Sequence, residues 1–494
     1  MIVKNEEKYL TDCFSSVQDV VDEIVLVDTG STDQTLVIAE AFSAKIFQFD
    51  WVNDFAAARN FALSKCSGDL ILYLDADERL NESSLQTIRQ IKNSDDNTAY
   101  LCTVVSLDRK NSRDNSMQYV RLFPNIPEIS FSGKVHEQIV PSLKEKGIRI
   151  VQSGVVIIHI GYNVSEEIKR EKAKRNIYLL EKEYSFNNSA YYAFQLANAY
   201  VILEDIKSAE KYFLIAAHSP ELNKSHRANC FASLALLSHN NNDSNRAESF
   251  ITQALKFGQE QPFNFLLASK IALRNGNLSA ADERCFKAYE INKKLKRKPN
   301  HLSISILLDD EEIVCFGLSL ALLQNNTKGK SFFEKELISL YDDSISELIS
   351  NLLLKKSFQQ YEINSLKKMI NKNNINLFIT LMNVHPDRKQ MIGLLESLIE
   401  EFPNESDIFK TLANLYDQEE QTDTAIFLLE NHLSKFENDP ALYFYLITFY
   451  LKKGQLEKIE LTLDSIEQRF SNVPEVINRL NIIQKKLNSF IKIT

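Results

Sequence analysis

The 494-residue chain is short of the features that mark secreted, membrane-spanning or nucleic-acid-binding proteins. Its six cysteines (Cys13, Cys66, Cys102, Cys230, Cys285, Cys315) are scattered, with no CxxC pair and no zinc spacing. Free thiols in a reducing cytoplasm are the simplest expectation. No run approaches the ~18 consecutive apolar residues of a membrane helix. Lys4, Glu6, Glu7 and Lys8 interrupt any apolar stretch at the start, so no signal peptide is expected. The net charge of -9 withholds the concentrated basic charge that general nucleic-acid binding needs. What remains, 44% hydrophobic and 25% charged residues, is the composition of a globular protein. The length predicts about two to four domains.

Two periods divide the chain. Up to about residue 160, short apolar runs alternate with helical segments. Ile24 to Val27 ends in Asp28, Lys45 to Phe49 is a second run, and Leu70 to Leu74 ends in Asp75. Continuous apolar runs fit buried parallel strands covered on both faces. Residues 34–43 and 54–66 have helical periodicity between them, which gives an α/β sheet. Segments 99–106, 117–123, 135–140 and 148–159 are rich in β-branched residues and are expected to extend a mixed sheet. From about Arg170 the strand signal vanishes and helical pairs repeat. Ala209, Ala247 and Ala281 recur, and Leu412 is matched by Leu446, Ala425 by Ile459 and Pro440 by Pro474, each of these three pairs 34 residues apart. A helix–turn–helix period of 34 resembles the tetratricopeptide repeat, clear at 190–291 and 404–472 and blurred across 295–400. The expected domains are therefore 1–185, α/β and catalytic; 186–295, helical repeats; 296–400, helical with degenerate repeats; and 401–494, helical repeats. Such an array makes a concave binding surface, a dimer contact or a structural extension.

Four blocks in the first domain carry chemistry. In VDTGSTD, Asp28 stands at a strand terminus, and Gly30 and Ser31 suit a tight turn and helix cap. Ligands of open α/β sheets bind outside the carboxyl ends of the strands, so Asp28 and Asp33 are candidates for hydrogen bonds to a ribose or base. In WVNDFAAARNFAL, Asp54 is expected to cap a helix that carries Arg59 toward a diphosphate and Asn60 toward a base edge. In LILYLDADERL, Asp75 and Asp77 follow an apolar strand. Two such carboxylates repel unless a cation joins them, and oxygen ligands suit Mg²⁺ or Mn²⁺. In FSGKVHEQIV and VVIIHIGY, His136 and Glu137 are expected where a strand begins and His159 where another ends. An imidazole can complete a metal site, and Glu137 is the best-placed carboxylate for a general base, with His136 beside it as the other catalytic candidate. Each block also has an ordinary explanation as a cap, a solvated helix face or a packed loop histidine.

In this order MIVKNEEKYL, VDEIVLVDTGSTDQT, FDWVNDFAAARNFAL, DLILYLDADERL, GKVHE and HIGY resemble family 2 glycosyltransferases of the GT-A fold. More narrowly they are similar to the bacterial branch that joins this domain to tetratricopeptide-like repeats, which includes the peptide S-glycosyltransferases of glycocin bacteriocins. The likeness covers about residues 1–185 with specific motifs and the remainder as repeat architecture only. It implies a Rossmann-like GT-A domain with a mixed sheet, and inverting transfer of a hexose from a UDP-sugar. Asp28 and Arg59 would face the uridine, Asp75 and Asp77 the ribose and the Mn²⁺ or Mg²⁺, and His159 the metal. The family has more apolar residues ahead of MIVKNEE than this sequence, which implies a first strand of only three or four residues. The implied acceptor is a Ser, Thr or Cys side chain of a peptide or protein held by the repeats, in a bacterial cytoplasm. A homodimer through exposed helical faces is a further expectation. Two other readings stand beside it: transfer to a cell-surface glycan or lipid-linked precursor, and a repeat adaptor whose first domain has lost activity.

Overall fold

The computed structural model describes residues 1–92, 97–108, 113–161, 166–241, 243–258, 260–297, 304–471 and 473–491. The chain divides into two compact units, Met1–Asp309 and Asp310–Thr494.

The first unit opens with three parallel strands, β1 (Ile2–Val3), β2 (Val25–Asp28) and β3 (Lys45–Gln48), in the order β1-β2-β3. All four residues of β2 are buried, as a strand covered on both faces requires. Helices α1 (Glu7–Ser15), α2 (Thr35–Ala41) and α3 (Phe55–Leu63) connect them and lead on. Asp54 caps α3 by accepting from Ala57 N at 2.9 Å, as its place before the apolar run predicts.

A second, mixed sheet is built from β4 (Leu70–Leu72), β5 (Glu78–Leu80), β6 (Thr98–Asp108), β7 (Arg113–Pro124) and β8 (Arg149–His159), in the order β4-β7-β6-β8-β5. Helix α4 (Leu85–Lys92) follows β5, and α5 (Val140–Glu145) precedes β8. Three expectations change. The run Leu70 to Leu74 was expected in a parallel strand, but β4 pairs antiparallel with β7. A continuous apolar run reports burial on both faces, not strand direction. Segment 135–140 is not a strand: it is a tight loop leading into α5, closed on itself by an isolated bridge between Ser132 and Gln138. Strand signal also returns after Arg170, because β9 (Ile304–Leu308) pairs antiparallel with β7 at its edge.

Seven helices, α6 (Glu166–Asn187), α7 (Ala190–Ile202), α8 (Ile206–His218), α9 (Lys224–Asn240), α10 (Ser244–Phe257), α11 (Pro262–Arg274) and α12 (Leu278–Arg297), fill the rest of the first unit's described residues. Helices α7 and α9 start 34 residues apart (190 to 224), as do α10 and α12 (244 to 278). Ala209, Ala247 and Ala281 are each fully buried, since only a small side chain lets neighbouring helices approach so closely. In the second unit the period is clearest near its end. Ser406–Gln418 and Thr422–His432 are followed, 34 residues on, by Pro440–Lys453 and Leu456–Phe470. Leu412, Leu446, Ala425 and Ile459 are all buried. Where the period blurs, short helices such as Gln360–Met369 and Ile375–Asn383 take its place.

Candidate functional site

The loops at the carboxyl ends of β1 and β2 clasp each other. Asp28 is buried, and its carboxylate accepts from Gly30 N at 3.1 Å and Ser31 N at 3.0 Å. Gly30 has φ +107°, a conformation only glycine adopts without strain. Asn5 completes the turn from outside: its amide donates to Ser31 Oγ at 2.9 Å, and its side-chain oxygen accepts from Thr32 N at 2.7 Å. Glu7 N donates to Asp33 Oδ2 at 3.2 Å, and Gln34 N donates to Glu7 Oε2 at 2.9 Å. Ser31 therefore receives the Asn5 amide and does not cap α2; the first amide of that helix, Thr35 N, donates instead to Asp33 Oδ1 at 3.0 Å. Asp33 is kept below the usual carboxylate range by its hydrogen bonds from Thr35 and Glu7, which outweigh the effect of burial. Asp28 and Asp33 stand where the sequence places candidates, whereas Asn5 and Glu7 are additional members of the turn. Their signal was their place in the MIVKNEE motif; their partners lie 26 and 27 residues away.

Beside this clasp Arg59, 8% exposed on α3, gathers two carboxylates. Its Nη2 donates to Asp75 Oδ1 at 2.8 Å and its Nε to Glu137 Oε1. Its guanidinium also lies over the Tyr73 ring at 5.0 Å. Arg121, from β7, lies over the same ring at 4.3 Å and donates to Glu78 Oε1 at 2.5 Å. Tyr73 thus meets two buried guanidiniums, and Asp75, Glu78 and Glu137 balance them. Burial pushes the Asp75 carboxyl up, but Arg59 and then Arg121 outweigh it and hold it well below its usual range. At Glu78 burial wins over Arg121, and the pKa is raised. Arg121, Glu78 and Tyr73 were not among the sequence candidates; Glu78 had only its place next to the acidic pair as a signal. Asn60 does not join this group. Its amide donates to Phe131 O at 2.9 Å and accepts from Phe131 N at 2.7 Å, so both ends are spent on the backbone of the next loop.

The two carboxylates of the acidic pair part company. Asp75 turns to the arginines, whereas Asp77 Oδ2 meets His159 Nε2 at 3.2 Å. The other ring nitrogen of His159, Nδ1, lies 3.1 Å from Ser106 Oγ, across the β6–β8 ladder in which Ser106 and His159 are directly paired. Burial lowers the His159 pKa, but the hydrogen bond and charge of Asp77 outweigh it and raise it above its ordinary value. Glu6 is pushed up to about 7 by burial and then by Asp77, with Lys172 opposing. Gly161 stands against this pair: a Cβ there would lie 1.9 Å from Asp77 Oδ2 and 2.9 Å from His159 Nε2. The last residue of the HIGY motif, Tyr162, lies outside the described residues.

Among the described residues no group of three or more His, Cys, Asp and Glu side chains converges as a metal cage. Asp77 and His159 nevertheless present two donors of the kinds a divalent ion takes, and would hold one only with further ligands from outside the protein. One oxygen and one nitrogen already face each other, and the second imidazole nitrogen is oriented by a hydroxyl, as in ligating histidines. Gly161→Ala is expected to drive Asp77 and His159 apart and lower Mn²⁺ affinity by about 10–100-fold with the fold intact, as read by electron paramagnetic resonance of the free ion. The sign of the pH effect follows from the raised His159 pKa: protons compete for the ring at higher pH than for a free histidine. Mn²⁺ affinity should therefore fall as pH is lowered from 8 toward 6, while the stability contributed by the Asp77–His159 ion pair is lost in the opposite direction, as pH rises through the folded pKa.

The loop with the GKVHE motif closes over this floor. Ser132 N donates to Gln138 O at 3.0 Å and Gln138 N to Ser132 O at 2.8 Å, with Gly133 at φ +95° and His136 at φ +53° between them. These left-handed residues curl the segment that was expected to start a strand. His136 is half-buried, and burial lowers its pKa below the ordinary value. Its side chain is not part of the Arg59 cluster, while the neighbouring Glu137 is. A cavity of about 230 Å³ is lined in part by Arg59 and Tyr73 but chiefly by apolar chains such as Val20, Leu70 and Leu72, and not by Asp77 or His159.

Residues 1–144 match glycosyl transferase family 2. A TPR repeat-containing protein of Synechococcus elongatus is 34% identical over 219 residues, 43% of this chain and 54% of its own. The SPbeta prophage-derived glycosyltransferase SunS of Bacillus subtilis is 28% identical over 184 residues, 37% of this chain and 43% of its own. The chain thus spans about half the length of these curated relatives. Among solved structures, a tetratricopeptide repeat protein of Parabacteroides merdae aligns with 60% of this chain and 98% of its own, at 14% identity and a TM-score of 0.38, too loose a superposition to argue from. The resemblance carried by the motifs therefore holds: a family 2 glycosyltransferase domain at the N-terminus is followed by helical repeats. No helix among the described residues is long and apolar enough to cross a membrane.

Proposed function

We propose that this protein transfers a hexose from a UDP-sugar to an acceptor with inversion at the anomeric carbon, assisted by Mn²⁺ or Mg²⁺. The observation that carries the reading is the Asp77–His159 pair at 3.2 Å, set beside the Arg59–Asp75–Glu137 cluster at one end of the sheets. The family 2 match covers all of these residues except His159 and supports it. When bound at Asp77 and His159, the ion would neutralise the charge that grows on the departing diphosphate.

The chain's own residues do the rest. The clasped β1–β2 turn, with Asp28 and Asp33, shapes the nucleoside side of the cleft. Arg59 fixes Asp75 toward the ribose and holds Glu137 in place. Glu137 takes the proton of the acceptor hydroxyl or thiol. The acceptor oxygen or sulfur bonds to the anomeric carbon as the carbon–oxygen bond to the diphosphate breaks, and UDP leaves with the electron pair. A single displacement of this kind inverts the centre. A thiol is already partly ionised at neutral pH, so Glu137→Gln should harm transfer to a hydroxyl far more than transfer to a thiol.

The acceptor we favour is a Ser, Thr or Cys side chain of a peptide or protein, in the cytoplasm. Support comes from the start of the helical array, where Tyr191 and Tyr192 of α7 lie against the loop that carries Glu137. The test is Mn²⁺-dependent hydrolysis of UDP-glucose and other UDP- and GDP-sugars by the whole protein, then transfer to peptides. No turnover of any nucleotide sugar would leave the adaptor reading, and turnover with glycan but not peptide acceptors would overturn the acceptor assignment.

A further inference from the structure

The loop carrying Glu137 is held from two sides, and only one of them is the catalytic domain. On that side Phe55 N donates to Lys134 O at 2.9 Å, and Asn60 pins the backbone of Phe131. On the other side the loop meets α7, the helix with which the 34-residue spacing begins. The Gln138 side-chain amide donates twice, to His136 O at 3.1 Å and to Tyr191 Oη at 2.9 Å. His136 is left-handed, a backbone state that a non-glycine residue keeps only where its surroundings hold it. Tyr192 closes the same loop from beneath, because a Cβ on Gly133 would lie 2.6 Å from its hydroxyl. The Tyr191 ring is itself wedged in the array, 6.2 Å from His226 of α9.

We infer that Tyr191 is a positioning residue for Glu137: through Gln138 it fixes the left-handed turn at His136 that aims Glu137 at Arg59. The inference rests on the reading of Glu137 as the base. It makes the first helices of the array part of the catalytic machinery as well as a docking surface. A tyrosine that only filled space would be replaced by phenylalanine without consequence, since the ring is kept and the hydroxyl alone is lost. Burial holds the phenol well above its usual pKa, so the hydroxyl is protonated across the range in which the enzyme would be assayed.

The test uses the full chain. In Tyr191→Phe, hydrogen exchange of the 132–138 amides should quicken by about tenfold in the absence of substrate, with Tm nearly unchanged. With UDP-glucose and Mn²⁺, kcat should fall by about tenfold while KM for UDP-glucose stays within about twofold. Gln138→Met cuts both bonds at once, so adding Tyr191→Phe to it should cost nothing further. Unchanged loop exchange in Tyr191→Phe, or full additivity of the two substitutions, overturns the inference. Quickened exchange with unchanged kcat keeps Tyr191 as the loop's anchor and removes Glu137 from the chemistry. If no nucleotide sugar is turned over at all, the functional reading falls and the exchange experiment still decides the role of Tyr191.

Discussion

Asp77→Ala is expected to lower Mn²⁺-dependent turnover of UDP-glucose by about 10²–10³-fold, the largest catalytic effect of any single substitution in the domain. The carboxylate faces His159 Nε2 at 3.2 Å, and its side chain is 22% exposed. Its loss removes one half of the candidate ion site without opening the core, so circular dichroism and Tm should change little. The same substitution should return His159 toward or below its ordinary pKa, because burial then acts without the opposing Asp77 charge. A titration of the His159 ring by NMR reads this directly and needs no substrate. Asp77→Ala protein that keeps full metal-dependent turnover would remove the ion from this pair. Asp75→Ala is a useful contrast, since that carboxylate is spent on Arg59 and Arg121 and its loss strands buried guanidiniums.

Arg59→Ala should be the most destabilising change in the site. It leaves Asp75 and Glu137 without the guanidinium that joins them, and it removes one of the two cations over the Tyr73 ring. Removing one partner of a fully buried pair costs about 3–5 kcal/mol; with the Asp75 side chain 38% exposed the loss should lie toward the lower end, read as a clear fall in Tm. Arg59→Lys keeps the charge but cannot reach two carboxylates with a planar fork, so an intermediate loss is expected. The acid limb of the stability curve supplies an independent reading. Asp75 is held well below the ordinary carboxylate value of 3.8. The stability it contributes is therefore fully present above that pH and lost only as pH falls below it. In Arg59→Ala that contribution should shrink, and the difference in stability between the two proteins should narrow as pH falls below about 4. Unfolding curves that coincide at neutral pH would show that the cluster is not a structural element.

These effects rest on contacts that local sequence encodes to very different degrees. The apolar run at Ile24, the Asp54 cap and the helical periods are properties of neighbouring residues, and they were legible because burial of a strand or of one helix face demands them; the run at Lys45 forms its strand without a buried residue. The small residues Ala209, Ala247 and Ala281 were legible for the same reason: a repeated close approach between helices imposes a repeated small side chain. The acidic pair at Asp75 and Asp77 was also visible, but not its division. Asp75 belongs to Arg59, Asp77 to His159, and the latter contact joins residues 82 apart in the chain. Asn60 looked like a base reader and is a backbone anchor, because the loop that claims it comes 71 residues later. The strand at Ile304–Leu308 was hidden within a stretch read as helical, since its only ladder is with a partner nearly two hundred residues earlier. Most of the elements, the repeat and the identity of the chemical groups are written in local sequence. Which carboxylate meets which cation was decided only by the tertiary structure, because strand register and loop curvature set those distances, and neither is a local property of the chain.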